Sequence, residues 1–113
     1  MKANLQNSRH YNWGNDCDGW VLLPCADMTA IQERMPPGTS EVRHHHERAR
    51  QFFYVLSGEL TMEIEGETHR LSAGDSIEIP PTKRHRAQNI TNSDVSFLVV
   101  SSPTTHGDRV DEL

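Results

Sequence analysis

The sequence predicts an all-β fold with little or no helix, a sandwich or barrel of the jelly-roll kind. Two observations lead there. Turn signals recur at short intervals from Gly58 onward, at Gly58, Gly66, Gly74 and Pro80-Pro81. Between them the apolar residues alternate over a few positions, and no 3.6-residue period persists for the length of a helix. Many short strands at such spacing build closed or double-layered β-architectures.

Taken in order, residues 1–19 are polar and turn-rich, with Asn12, Gly14, Asn15, Asp16, Asp18 and Gly19. They read as an N-terminal arm or edge strand packed on the same domain. Residues 20–103 read as the barrel. Trp20 to Leu23 is a short apolar run ended by Pro24, and Met28 to Met35 alternates until Pro36-Pro37-Gly38 stops it. Gln51 to Leu56 is a compact run closed by Ser57-Gly58. Leu60, Met62 and Ile64 alternate with Thr61, Glu63 and Glu65, the pattern of a half-buried strand. Glu65-Gly66-Glu67 turns the chain and Thr68 to Leu71 returns. Ser76 to Ile79 ends at Pro80-Pro81, and Val95 to Val100 is the last strong strand. Residues 104–113 read as a C-terminal tail.

A chain of 113 residues suits one domain. Its 16 acids against 11 bases give a formal net charge of −5, which argues against a nucleic-acid partner. No stretch approaches the roughly 18 apolar residues of a membrane span. Cys17 and Cys25 have no Cys-x-x-Cys spacing, and the first residues show no apolar signal core, so the expectation is a cytoplasmic protein with reduced thiols.

The chemistry-bearing residues cluster. His44, His45 and His46 are consecutive; on a strand, His44 and His46 share a face and His45 points away. Gln51 follows His46 at an odd separation, so the two meet only if Glu47-Arg48-Ala49-Arg50 turns or kinks the chain. His85 opens a strand after Pro80-Pro81-Thr82. Three imidazoles and an amide oxygen make a reasonable set of ligands for one divalent transition metal: zinc, manganese, nickel, iron or cobalt. Arg43, Arg48, Arg50, Lys83, Arg84 and Arg86 flank these segments and offer a positive mouth for a small anionic ligand. Phe53, Val55, Met62, Ile77 and Phe97 read as core, some of them lining the pocket; Arg43 and Arg86 are its polar candidates. No general acid or base is fixed beside the metal by the sequence, and the catalytic residues are unknown at this stage.

These residues resemble the two motifs of the cupin superfamily. Gly38, five residues, His44, one residue, His46, four residues, Gln51, six residues, Gly58 is similar to the first. Gly74, five residues, Pro80, four residues, His85, three residues, Asn89 is similar to the second. Gln51 stands where the family usually has Glu, and Thr82 where it usually has Gly. Gln-Phe-Phe-Tyr-Val-Leu-Ser-Gly in mid-chain and Gly107-Asp108-Arg109-Val110 also resemble a subgroup of small bacterial cupins. The resemblance implies a double-stranded β-helix, often a homodimer, with a metal held by His44, His46, Gln51 and His85 inside one end.

A Glu ligand would leave a divalent site at net +1, whereas Gln51 leaves it at +2. A more positive centre is the stronger Lewis acid and supports iron(III) less well. The leading expectation is therefore Lewis-acid chemistry on a small anionic or carbohydrate-derived molecule, of the isomerase, epimerase or lyase type. Cupins that linearise unsaturated uronates are similar in using three His and one Gln. The alternatives are an iron- or nickel-dependent dioxygenase and a non-catalytic small-molecule-binding barrel.

Overall fold

The short alternating runs fold as short strands. A computed structural model describes residues 1–112, and among them there are eleven strands and no helix. In chain order they are β1 (Arg9–Trp13), β2 (Cys17–Pro24), β3 (Thr29–Met35), β4 (His44–His46), β5 (Arg50–Ser57) and β6 (Glu59–Ile64). Then follow β7 (Glu67–Ser72), β8 (Ser76–Ile79), β9 (His85–Gln88), β10 (Val95–Ser102) and β11 (Arg109–Asp111).

Two antiparallel sheets face each other in a double-stranded β-helix. One has the order β1-β2-β3-β10-β5-β8 and the other β11-β4-β9-β6-β7. Alternation decides what lies between them. Gln51, Phe53 and Val55 point inward from β5, while Phe52, Tyr54 and Leu56 are exposed. On β10, Val95, Phe97, Val99 and Ser101 point inward. These meet His44 and His46 of β4, His85 and Ala87 of β9, and Leu60 and Met62 of β6, all buried.

Register sorts the interior into an apolar and a polar part. Val99 pairs with Ile31 on one side and Phe53 on the other, and Phe97 is flanked by Val55. One step along, Ser101 pairs with both Thr29 and Gln51. The apolar part continues through Met35, Leu60, Met62, Leu71, Ile79 and Val95. The barrel is thus plugged at one end by hydrophobic packing, and its other end is left to polar side chains.

The turns are specific. Glu65 and Gly66 both have positive φ, 49° and 87°, the two-residue hairpin geometry that matches strand twist. Gly58, at φ 79°, has no alternative, because a Cβ there would lie 2.4 Å from the Asp94 carbonyl oxygen. Asn89 is buried and fully bonded. Its Nδ2 donates to the Met35 carbonyl at 2.9 Å and the Ser93 carbonyl at 2.8 Å, and its Oδ1 accepts the Thr91 N–H at 3.0 Å. This locks the β9–β10 connection onto the end of β3.

Both ends of the chain join the sheets. β1 pairs with β2 from Arg9↔Val21 to Trp13↔Cys17, so the first polar residues form the outer strand of a hairpin, and Trp13 packs on the core. Instead of trailing as a tail, the last segment returns: Arg109, Val110 and Asp111 pair with His46, His45 and His44. The buried Asp108 causes the return, as its bonds below show.

Candidate metal centre

His44 and His46 project inward from β4, with His45 between them turned out toward Glu47 at 2.9 Å. His85 lies directly across from His44 on β9. The three ring centroids are 5.0, 4.4 and 5.7 Å apart, and one ring nitrogen from each lies within 4.8 Å of the other two.

Which nitrogen faces inward is fixed by the other one. Nδ1 of His44 donates to the Val42 carbonyl at 2.8 Å, that of His46 to the Asp108 carbonyl at 3.0 Å, and that of His85 to the Lys83 carbonyl at 2.9 Å. With the proton on Nδ1, all three Nε2 lone pairs are free. Burial, the largest cause in each case, pushes His44 down to about 3 and His85 down to about 4, and lowers His46 as well. The rings are therefore neutral at physiological pH, the form that binds metal.

Gln51 comes from the opposite sheet. The odd separation from His46 is resolved by residues 47–49, which cross from β4 in one sheet to β5 in the other. Asp108 holds the crossing. Its Oδ1 accepts the Glu47 N–H at 3.0 Å, and its Oδ2 accepts those of Arg48 at 3.1 Å and Ala49 at 2.9 Å. Gln51 Nε2 donates to Ser101 Oγ at 3.1 Å, which turns its Oε1 inward.

The donor set tests whether a metal fits. Nε2 of His46, Nε2 of His85 and Oε1 of Gln51 are buried with no hydrogen-bond partner among the described residues. Buried polar atoms are seldom left so, because each costs about 1–3 kcal/mol. Buried electron-pair donors left without a hydrogen-bond partner, beside three imidazoles whose ring nitrogens lie within 4.8 Å of one another, suit a cation. Imidazole nitrogen with an amide oxygen is a borderline set suited to a divalent transition metal.

The cavity at this centre measures about 160 Å³ and is walled by His44, His46, Gln51, Phe53, Glu33 and Glu41, with Tyr11, Ile31, Val99, Ser101, Thr105 and Arg109 completing it. A groove of about 410 Å³ adjoins it, sharing Tyr11, Ile31 and Thr105, and carries Arg9 and His106 on its outer side.

The pocket candidates divide. Phe53 lines the cavity. Val55, Met62 and Phe97 are fully buried in the apolar plug, and Ile77 packs against it. Arg43 is turned away: it clasps Glu63 with Nε at 2.8 Å and reaches Glu112 at 2.9 Å. Arg86 lies beside Glu63 and does not line the cavity. Arg50 pairs with Glu78, and Arg84 lies near Glu112. None of these cations lines the cavity; the one that does is Arg109, brought there by β11. Sequence reasoning missed Glu33, Glu41 and Arg109. Glu33 did leave a signal, since it shares a face with Ile31 and Met35 in the alternation of β3.

Comparison with known proteins agrees with this architecture. The model of the cupin domain family matches residues 31–101, and the chain belongs to that family. An oxalate-binding protein of Thermotoga maritima is 33% identical over 67 residues, covering 59% of this chain and 55% of the relative. The polyketide synthase CurC of Streptomyces cyaneus is 33% identical over 69 residues, covering 61% of this chain and 45% of the relative. The chain thus spans about half the length of the curated relatives it matches. Among solved structures, KdgF from Halomonas sp. superposes with a TM-score of 0.81 at 25% identity, covering 90% of this chain and 94% of that one.

Proposed function

We propose that this protein is a metal-dependent cupin acting on a small anionic or carbohydrate-derived molecule by Lewis-acid chemistry of the isomerase, epimerase or lyase type. The observation that carries the reading is that His44, His46 and His85 bring ring nitrogens within 4.8 Å of one another, while His46 Nε2, His85 Nε2 and Gln51 Oε1 are buried and unpartnered. His44, His46, Gln51 and His85 would hold one divalent ion. When bound, such an ion polarises an oxygen of the ligand and stabilises negative charge developing there.

The chain's own residues supply the rest. The neutral ligands leave the ion's full charge available for an anion, and Arg109 adds a second positive point at the cavity's edge. Phe53, Ile31 and Val99 exclude water from one wall, which strengthens each electrostatic contact inside. A cavity of about 160 Å³ is small beside the roughly 300–1,000 Å³ of drug-sized sites, so the ligand is a small one. The likeness to an oxalate-binding protein supports a small carboxylate and also supports a second reading, a binding barrel without turnover.

We further infer that the chain pairs with a second copy. The outer face of the six-stranded sheet exposes Phe52, Tyr54 and Leu56 in one row, with Val100 and Leu98 as neighbours of the first two. A contiguous apolar face of this kind favours burial against a partner.

The test is elemental analysis of the purified protein beside a His44→Ala/His85→Ala double variant that still folds. About one transition metal per chain in the wild type and none in the variant is expected. A wild type that stays empty after incubation with zinc, manganese, nickel, iron and cobalt would refute the metal centre. With metal present, turnover of sugar acids and hydroxy acids separates enzyme from binding barrel.

A further inference from the structure

Two acids that the metal reading does not use line the same cavity. Glu33 stands on the inward face of β3, paired across the sheet with Phe97. Glu41 sits just before β4, where its Oε1 accepts the Ala87 N–H at 2.9 Å. The Tyr11 hydroxyl donates to Glu33 Oε2 at 3.4 Å. Its ring reaches this place by crossing Gly19, where a Cβ would come within 2.3 Å of it.

The surroundings leave this pair short of positive charge. The cation acting on both is Arg109, and its Nε is already taken by Asp111 Oδ1 at 2.6 Å. Tyr11 faces the pair from β1, and Arg109 and Asp111 from β11. Burial is the main cause that pushes Glu33 up to about 8, and the Glu41 charge adds to it. Burial likewise pushes Glu41 up to about 7, against the Ala87 hydrogen bond. Two neighbouring half-buried carboxylates that lack a free cation do not both ionise readily; they titrate as a pair.

We propose that Glu33 and Glu41 share one proton and form the acid–base wall of the cavity, exchanging protons with the ligand held beside the three histidines. This rests on the metal-centre reading. The ionised member takes a proton from a hydroxyl, or from a carbon next to a carbonyl, with the electron pair of the broken bond moving toward the carbonyl. The protonated member returns a proton to the ligand. Nothing is oxidised or reduced, and the pair ends with one proton as it began. The reactions this serves are isomerisation, epimerisation and ring opening. It also orients the substrate: a hydroxyl-bearing carbon faces the two acids, and a carboxylate belongs on the side of the histidines and Arg109.

The decisive measurement is a carbon-13 titration of the glutamate carboxyls in the metal-free full chain from about pH 4 to about pH 10, beside Glu33→Gln and Glu41→Gln. Expected is one carboxyl step near or above neutrality, with the Glu33 step moving down by about one unit or more in Glu41→Gln. Both carboxyls titrating in the ordinary range, or a Glu33 step indifferent to Glu41→Gln, would overturn the proposal. If a variant fails to fold, the wild-type titration alone decides: a step near or above neutrality supports the pair, and its absence overturns it.

Calorimetry with zinc chloride at about pH 7.5, in buffers of different ionisation enthalpy, reads the coupling to the metal centre. Wild type and the Glu33→Gln/Glu41→Gln double variant should both bind about one zinc per chain. The wild type should release a fraction of a proton more, because the incoming charge weakens the pair's hold on its proton without emptying it. Equal proton release overturns the pair. Zinc binding to neither protein overturns the metal centre instead, and the carboxyl titration then decides the pair by itself.

Discussion

Replacing Asp108 by alanine should loosen the fold and the metal centre together. The Asp108 carboxylate accepts three backbone N–H groups, from Glu47, Arg48 and Ala49, at 2.9–3.1 Å. Hydrogen bonds to a charged group contribute about 1.5–3 kcal/mol each, but neighbours do not add fully. Glu47 and Arg48 are exposed, so water takes over part of their loss, whereas Ala49 is buried and its N–H would be orphaned. These considerations give a loss of about 3 kcal/mol, or roughly 12 °C in Tm at about 4 °C per kcal/mol. Burial raises the Asp108 carboxyl, but the three N–H donors outweigh it and hold it below the ordinary value. Its stabilising contribution is therefore present above the unfolded carboxyl range and is lost as pH falls through the folded value. The gap between wild type and Asp108→Ala should shrink in acid. The clamped turn joins His46 to Gln51, and the Asp108 carbonyl orients His46, so zinc affinity should fall about tenfold or more. Differential scanning fluorimetry on metal-free protein and zinc calorimetry check both, with the exposed Asp111→Asn as control. A metal-free Asp108→Ala melting within about 2 °C of wild type at neutral pH would refute the clamp.

Thr82 occupies the left-handed region at φ 74°, costly for a β-branched residue, so Thr82→Gly should stabilise the protein by about 1 kcal/mol after the entropy of the added glycine, read as a higher Tm. Gln51→Glu should lower the charge of the loaded site by one and tighten zinc at least about tenfold in competition with a chelator; unchanged or weaker binding would count against Gln51 as a ligand. In the metal-free protein, Glu33 and Glu41 hold protons to about pH 8 and about pH 7, while the unfolded chain releases them near 4.5. Above about pH 7, where the three depressed histidines are neutral in both states, the native state thus binds more protons, and its stability should fall as pH rises toward about 8; Glu33→Gln/Glu41→Gln should flatten the slope of Tm against pH there. Light scattering should find twice the 12.8 kDa chain mass for the wild type and the single mass for Phe52→Asp/Leu56→Asp.

Strand periodicity and turn residues made the barrel legible, because both are local. The side-chain period of two placed His44 with His46 and turned His45 away, as the structure has them. What local pattern cannot supply is which sheet a strand joins. Gln51 meets His46 because β4 and β5 lie in facing sheets, and the Asp108 clamp that makes the crossing is far away in sequence, joined to Arg48 at a separation of 60. The flanking arginines illustrate the same limit. Their number near the histidines suggested a basic mouth, but a strand sends alternate residues outward, and Arg43 spends its charge on Glu63 and Glu112. The one arginine at the cavity comes from the segment that read as a tail.

The substitution at Gln51 and the two acids across the cavity bear on one quantity. With a divalent ion held, three neutral imidazoles and an amide leave +2, where a glutamate ligand would leave +1. Glu33 and Glu41 sharing one proton would put that missing negative charge on the cavity wall, facing Arg109. The negative charge is moved off the ligand set and onto a wall. On the metal it would weaken the Lewis acid directly and could not change with the ligand's needs. On the wall it acts from a distance, leaves the ion's charge undiminished for the bound oxygen, and can be neutralised or doubled by one proton. A cavity arranged this way suits reactions that move a proton more than reactions that move an electron, and so the glutamine and the proposed acid pair favour the same class of chemistry.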